Sequence, residues 1–371
     1  MAFEGIPFFN SWRKVMDKLL DIYSDYLIAQ NQYATAVGLS DLLEGRISHD
    51  KITRFLNGKE LTSKDLWEYV RPELRKIEED KGGVLIIDDT IEEKTYTDEN
   101  EIICWHFSHS KGRCVKGVNI LSCLARYGDI ALPIAYEPVR KDVLFCDVAT
   151  RKVKRQSSIS KNQMFRSMIA QAVSNKVKFE YALADTWFGA KKNMEFVHYE
   201  MKKKFIFGVK ANRLIALSEE DKKKGQYQNL NTLPLKDGEK RIVWLKDVAF
   251  PVALITKIFK NEDGSTGTLY LVTNDLESSA DRIYEVYQKR WRIEEYHKSI
   301  KQNASLEKSP TKVVKSQKNH IFASIIAYCK LEFLKTKTSL NHFGMKYMLL
   351  MKANRAAFLE LERWRFNHGK F

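Results

Sequence analysis

The sequence predicts an α/β protein with a helical N-terminal domain, a β-rich insertion and a helical C-terminal segment. Residues 1–80 carry apolar side chains at helical spacing and give no strand signal, whereas the run GGVLIIDDT begins a series of strand-like segments. Residues 205–278 are again mostly strand-like, and helical spacing returns after them. A chain of 371 residues is long enough for two or three domains.

The charge balance indicates a polyanionic partner. The chain has 62 Lys and Arg against 47 Asp and Glu, a net charge of +15, and the basic residues are spread along its length. A basic protein without such a partner is the alternative. The five scattered cysteines, and a start with no basic segment before a long apolar run, favour a cytosolic protein without disulfides or membrane attachment.

Two short helices are predicted in YATAVGLSDLLEGRISHDKITRFLNGKE. The first ends near Gly45, and the second has Ser48 as its N-cap and ends at Gly58. The second helix would turn Lys51 and Arg54 outward, as in a helix-turn-helix whose second helix enters a major groove of DNA. A helical hairpin that contacts no DNA produces a similar pattern, so both interpretations stay open.

Two predicted strands end in carboxylates. The run GGVLIIDDT places Asp88 and Asp89 at the end of a buried strand, and alternation sends their side chains to opposite faces, so only one can join a site. The run FEYALADTWFG ends a second strand at Asp185. Adjacent acids at a strand end often mark only a turn, but carboxylates at the ends of two strands can face each other across a shared crevice.

The segment between these two strands is predicted to be an antiparallel meander, then a basic loop at residues 151–163 and a helix at 164–174. The loop is either solvated or bound to a nucleic-acid backbone. Within the meander, two cysteines and two histidines have the spacing C-x-H-x2-H-x4-C, which fits no common zinc finger, so we do not expect zinc there.

One long helix is predicted over residues 281–301, DRIYEVYQKRWRIEEYHKSIK, because the run contains no Gly or Pro. At about 100° per residue, one face carries Tyr287, Arg290, Glu294 and Lys301. A carboxylate beside two cations stays ionised and is suited to a hard divalent metal, while Arg and Lys bind phosphate oxygens. A solvated face with Glu–Arg pairs four residues apart is the alternative.

The spacing Y-x2-R-x3-E-x6-K within this helix resembles the signature of the DDE transposases of bacterial insertion sequences, the cut-and-paste group marked by YREK. The resemblance implies a ribonuclease-H-like catalytic domain and three catalytic, metal-binding acids. In that family the first acid directly precedes a Thr, which selects Asp89 and leaves Asp88 as the alternative. The second and third acids are then Asp185 and Glu294.

The resemblance also implies a division of the chain. Residues 1–80 would form the helical DNA-binding domain, residues 81–204 with 279–330 the catalytic domain, residues 205–278 the β insertion, and residues 331–371 the helical C-terminal segment. Within the insertion, Trp244 would stack on a base extruded from the duplex, with Trp187 as a competing candidate.

The activity so implied is cleavage at the terminal inverted repeats of the element, through DNA hairpins, and joining of the 3′ ends to target DNA. Two Mg²⁺ or Mn²⁺ ions per site would be the cofactors. The partners would be double-stranded DNA and a second copy of the chain in a paired-end complex, located at the bacterial nucleoid. A nuclease that does not join DNA, and an inactive DNA-binding regulator, are the alternatives.

Overall fold

A computed structural model describes residues 7–79, 82–109, 111–260 and 262–368, and within these ranges the side chains of residues 18–367. The chain divides into two compact units, which we call the helical unit and the sheet unit. The helical unit consists of Met1–Thr62, Glu92–Asn100 and Glu295–Phe371, and the sheet unit consists of Ser63–Ile91 and Glu101–Glu294. This division differs from the predicted four-part division of the chain.

In the described residues, eleven strands form one mixed sheet in the order β10-β9-β11-β12-β13-β8-β7-β1-β3-β2, with β4 paired to β3, and two further strands, β5 and β6, form a separate antiparallel ribbon. The strands are β1 Val84–Glu93, β2 Cys104–Ser108, β3 Arg113–Tyr127, β4 Ile130–Pro138, β5 Val143–Asp147, β6 Lys152–Gln156, β7 Tyr181–Ala184, β8 Lys204–Val209, β9 Leu214–Ala216, β10 Gln228–Asn229, β11 Lys240–Leu245, β12 Val252–Lys260 and β13 Thr266–Thr273.

The centre of the sheet is parallel. Strand β7 pairs in parallel with β1 on one side and with β8 on the other. The four residues of β7 and most of β8 are buried, as expected for strands covered on both faces. The predicted insertion began at residue 205 and so included β8, but β8 lies in this parallel centre. The predicted meander is present as β2, β3 and β4, which pair antiparallel.

The α-helices have the following bounds: α1 Pro7–Ala29, α2 Ala36–Leu42, α3 His49–Leu56, α4 Ser63–Ile77, α5 Lys161–Ser174, α6 Lys191–Glu195, α7 Glu219–Lys223, α8 Ala280–Gln288, α9 Arg292–Gln302, α10 Val314–Thr338 and α11 His342–His368. Together with the mixed sheet they make the chain α/β, as predicted. The layout is consistent with a ribonuclease-H-like fold. None of the helices in the described residues is both long and apolar enough to cross a membrane.

Three predicted elements were wrong in detail. The first strand was predicted to end at Asp88 and Asp89, but β1 continues to Glu93. The helix predicted over residues 281–301 is interrupted, because the 3₁₀ turn Lys289–Trp291 separates α8 from α9. The predicted basic loop at residues 151–163 instead contains β6 and the start of α5. Helix α5 begins at Lys161 because Ser160 and Gln163 form a capping box, in which each side chain accepts a backbone N–H of the other residue.

The helical unit packs α1, α3 and α10 around a common core. Tyr23, Leu27, Ile52 and Leu331 are among its buried members. The predicted helix α3 is confirmed, with its N-cap Ser48 accepting the Lys51 N–H at 3.4 Å. Helix α10 belongs to the helical unit, where it contacts α1 and α3.

Candidate active site

Two acids lie level with each other on neighbouring parallel strands. Ile86 of β1 is in register with Leu183 of β7. Two residues further along the same register, Asp88 is opposite Asp185, at the carboxyl end of β7. Partners in a parallel pair project to the same face of the sheet. The buried apolar runs that form these strands therefore bring two carboxylates together.

The Asp88 carboxylate is largely buried and pairs with Arg290, with 3.3 Å between Oδ2 and Nη1. Its Oδ1 accepts the backbone N–H of Asp89 at 2.8 Å. Burial, together with the nearby negative charges of Asp185 and Asp89, raises the pKa of Asp88 to about 7 against the attraction of Arg290. At neutral pH this carboxyl group is close to the midpoint of its titration.

The Asp89 carboxylate binds two side chains from other elements. The amide of Asn119, on β3, donates to Oδ2 at 2.6 Å, and the ammonium of Lys161, in the first turn of α5, pairs with Oδ1 at 2.9 Å. The Lys161 Nζ also lies 4.2 Å from the ring centre of Trp187. Asn119 and Lys161 were not predicted as site residues. Lys161 lies in a conspicuously basic segment, but Asn119 sits inside an apolar strand and gives no sequence signal.

Asp185 is fixed by the backbone that follows it. The Trp187 N–H donates to its Oδ1 at 3.0 Å. Burial raises the pKa of Asp185, and the charge of Asp89 adds to this increase. Asp88 and Asp185 also repel each other. Gly208 of β8 passes close to this segment. A Cβ at Gly208 would lie 2.9 Å from Thr186 Cγ2 and 3.3 Å from the carbonyl carbon of Asp185.

The third acid is held by an arginine on the interrupted helix. Arg290, in the 3₁₀ turn, donates from Nη2 to Glu294 Oε1 at 2.7 Å, so one guanidinium links Glu294 to Asp88. The guanidinium also lies 5.8 Å from the ring centre of Tyr287. Tyr287 is buried, and burial raises its pKa to about 12, so its hydroxyl stays protonated and able to donate.

The other predicted site residues lie elsewhere. Lys301 belongs to the helical unit and pairs there with Glu307 at 3.5 Å. Lys51 and Arg54 are exposed on α3, also in the helical unit, and face outward as predicted. Trp244 is half-buried on β11, where the Lys222 ammonium lies 4.5 Å from its ring centre.

His106 is buried on β2, and in the described part of the chain its Nε2 has no hydrogen-bond partner. Burial, together with the cations Lys141 and Lys161, lowers its pKa to about 4. The imidazole is therefore neutral near the Asp89–Lys161 pair.

The chemistry of the acids suits a hard divalent cation, because carboxylate oxygens are the ligands that Mg²⁺ and Mn²⁺ prefer. In the described residues, no three side chains of His, Cys, Asp or Glu are grouped closely enough to hold a metal ion. Arg290 and Lys161 instead provide the positive charge beside these acids. The donor types fit such a cation, and the pairing with Arg290 occupies two of the carboxylates.

Comparison with known proteins gives a family. A model of the DDE superfamily endonucleases matches residues 7–237, more than half of the chain, including Asp89 and Asp185. No curated protein matches. A Drosophila P element transposase strand transfer complex shares 8% identity over 49% of this chain and 35% of that chain, and its TM-score of 0.23 is too low to support an argument. The family match alone identifies the chain, which belongs to the DDE superfamily endonucleases.

Proposed function

We propose that this endonuclease is the transposase of a bacterial insertion sequence of the YREK group. It binds the terminal inverted repeats of its element, cleaves at the ends through DNA hairpins, and joins the 3′ ends to target DNA. One observation supports the proposal above the others. Acids far apart in sequence meet at one end of the sheet unit, where Arg290 contacts both Asp88 and Glu294.

Each acid and cation then has a role. Asp89, Asp185 and Glu294 hold the metal ions, and DDE superfamily endonucleases use divalent metals. Two Mg²⁺ or Mn²⁺ ions would activate the attacking water or 3′-hydroxyl and stabilise the leaving oxygen. Asn119 orients the Asp89 carboxylate. Before metal ions bind, Arg290 and Lys161 neutralise the charge of the acids. Once metal ions take over this role, the two side chains bind phosphate oxygens. Tyr287 donates to a neighbouring phosphate.

Other cations and aromatic side chains serve DNA binding. In this proposal Lys301 holds a phosphate near the cleavage point, while Lys51 and Arg54 on α3 contact the terminal repeat, which their exposure permits. Trp244 stacks on an extruded base, and its half-buried position leaves part of the ring accessible. Trp187 is the competing candidate, because Lys161 links it directly to Asp89.

A second copy of the chain is the proposed protein partner, because one active site is needed at each end of the element. Helix α11 supports this. Residues 347–367 are almost all exposed, and they include large apolar side chains such as Phe358, Leu361 and Trp364. A helix with so much exposed apolar surface is typical of an interaction surface.

The test of the proposed function is DNA cleavage by the wild-type protein and by Glu294→Gln. Each is incubated with Mg²⁺ or Mn²⁺, DNA that carries the element's ends, and a circular target, and denaturing gels resolve nicks, hairpins and joined products. We expect Glu294→Gln to bind the ends normally and to make none of these products. Equal cleavage by both proteins would exclude Glu294 from catalysis.

The same gels separate the alternative functions. Cleavage that depends on Glu294, without hairpins or joined product, identifies a nuclease that does not transpose. Binding of the ends by folded wild-type protein without any cleavage identifies a regulator.

The register that aligns Asp88 with Asp185 makes Asp88 a second candidate for the first metal ligand.

A further inference from the structure

The ribbon formed by β5 and β6 has no place in the mixed sheet. Its strands pair only with each other, from Val143 opposite Gln156 to Asp147 opposite Lys152. Its side chains are mostly exposed on both faces. A two-stranded ribbon is marginally stable by itself in water, so one that is exposed on both faces is suited to binding something else.

The charge of the ribbon and its flanks favours a polyanion. From Arg140 to Lys161 the chain carries seven Lys and Arg residues and two acids. Both acids have partners, since Asp147 pairs with Lys154 at 2.6 Å and Asp142 accepts from the Ser158 hydroxyl at 2.7 Å. Three of the cations pair with acids, Arg140 with Glu101, Lys154 with Asp147 and Lys161 with Asp89. Arg151 and Lys152, at the turn, are exposed and carry the positive charge that faces solvent.

The base of the ribbon lies near the candidate active site. Bonds between the segments on either side of the ribbon close this base, including the one from Ser158 to Asp142. Helix α5 starts directly afterwards, and its first residue, Lys161, pairs with Asp89. Gln156 and Lys161 are five positions apart in the chain, and an extended chain spans at most about 18 Å over five positions. The ribbon therefore projects from beside the acids.

The two faces of the ribbon differ. Register places Phe145 opposite Lys154 on one face, and Cys146 opposite Val153 on the other. Val153 is 72% exposed and Leu144, on the same face, is 58% exposed. A two-stranded ribbon fits the major groove of B-DNA, where apolar side chains contact thymine methyl groups and cations at the edges reach phosphates.

We propose that this ribbon is a DNA-binding arm, which holds the duplex next to the phosphodiester positioned at the acids. The proposal rests on the proposed function in one respect only, which is that the bound duplex is the end of the element. Arg151 and Lys152, in and beside the turn that joins the two strands, contact the phosphate backbone. Both side chains are exposed.

The test compares two pairs of substitutions that remove equal charge. Arg151→Gln with Lys152→Gln changes the ribbon. Lys176→Gln with Lys202→Gln changes two exposed lysines that precede β7 and β8, at the opposite ends of these strands from the acids. Affinity for a duplex of random sequence is measured without divalent metal over a range of salt concentrations. The slope of log K against log salt is negative, and each lost phosphate contact makes it less negative by about 0.9.

We expect the slope of the ribbon variant to be less negative than the wild-type slope by about 1.8, because two phosphate contacts are lost. The control variant should keep the wild-type slope. Equal slopes for the wild-type protein and the ribbon variant would overturn the proposal. If cleavage depends on Glu294 while the ribbon variant binds normally, the ribbon proposal fails alone. If the ribbon variant loses affinity while Glu294→Gln cleaves normally, the arm stands and the proposed catalysis fails.

A protein partner is distinguished by changing the apolar face. Leu144→Ser with Val153→Thr removes apolar surface without changing charge. A DNA-binding arm predicts an unchanged oligomeric state in sedimentation and weaker DNA binding. Dissociation of a wild-type dimer by this variant, with DNA affinity intact, would assign the ribbon to a second copy of the chain and overturn the proposal.

Discussion

At the scale of single residues, the two adjacent acids of β1 have different surroundings. Asp88 shares Arg290 with Glu294 and has a pKa near 7. Asp89 is bound by Asn119 and Lys161. The neighbours of each carboxylate come from elements far away in sequence, so two consecutive residues of one type acquire different chemistry.

Asparagine at each position tests which acid is the metal ligand. We expect Asp89→Asn to lower the cleavage rate by about 10³-fold, because a metal ion contributes several kcal/mol to the transition state. Asp88→Asn retains an oxygen for Arg290 and should lose less than about tenfold. Single-turnover cleavage at saturating Mg²⁺ measures both rates, and the reverse order would assign the metal to Asp88.

His320 gives a pH dependence of stability within the helical unit. Its Nε2 faces the carbonyls of Ser305 and Leu306 at 3.0 and 3.2 Å, so Nε2 carries the proton and Nδ1 accepts from the Tyr23 hydroxyl at 2.9 Å. Burial, together with the charge of Lys94, lowers the pKa of His320 from 6.5 to about 4. The unfolded chain therefore binds this proton at a higher pH than the folded chain.

The stability contributed by neutral His320 is complete above pH 6.5 and falls as the pH drops towards 4. We expect a loss of about 2 kcal/mol in the free energy of unfolding between pH 7 and pH 5 from this residue. Urea unfolding of the wild-type protein and of His320→Gln at both pH values isolates it. The same pH dependence in both proteins would contradict the assignment.

At the scale of elements, the 3₁₀ turn decides where Arg290 points. A 3₁₀ turn has three residues per turn and an α-helix has 3.6, so the turn rotates α9 relative to an uninterrupted helix. Arg290 lies within the turn and contacts an acid on β1 as well as one on α9. A continuous helix, as the sequence pattern predicted, would place Tyr287, Arg290, Glu294 and Lys301 at other angles around the helix axis.

Strand β8 controls the position of the second acid through a glycine. Alanine at Gly208 would push against Thr186 and the carbonyl of Asp185. We expect Gly208→Ala to slow cleavage by about 10²-fold, the cost of misplacing a catalytic group by about 1 Å, with end binding unchanged. Val209→Ala is the control, since Val209 is buried on the same strand and its side chain projects to the opposite face from position 208. Equal effects of the two variants would show a loss of stability only.

At the scale of the whole molecule, α11 predicts self-association. Phe358 and Trp364 are 60% and 55% exposed. We expect Phe358→Ser with Trp364→Ser to shift a wild-type dimer towards monomer in sedimentation velocity, because removing large apolar side chains weakens a dimer interface. Glu362→Ser with Arg365→Ser, on the same helix, should leave the dimer intact. A wild-type monomer at high protein concentration, also with DNA ends present, would exclude the proposed partner.

The sequence by itself determined the elements and the residue types that carry the chemistry. The apolar runs before Asp88 and Asp185 form buried strands, and the cap at Ser48 begins α3, because burial periodicity and capping are local properties. These signals were sufficient for the α/β class and for the strand end that precedes Asp185, but not for the first strand, which continues past Asp88 and Asp89 to Glu93.

Only the tertiary structure decided what surrounds those acids. Asn119 and Lys161 reach Asp89 from 30 and 72 residues away, and Arg290 reaches Asp88 across 202 residues. It also placed β8 in the parallel centre of the sheet and Lys301 in the other unit. Strand order and side-chain partners depend on the sum of many contacts between distant segments, and no local pattern in the chain records that sum.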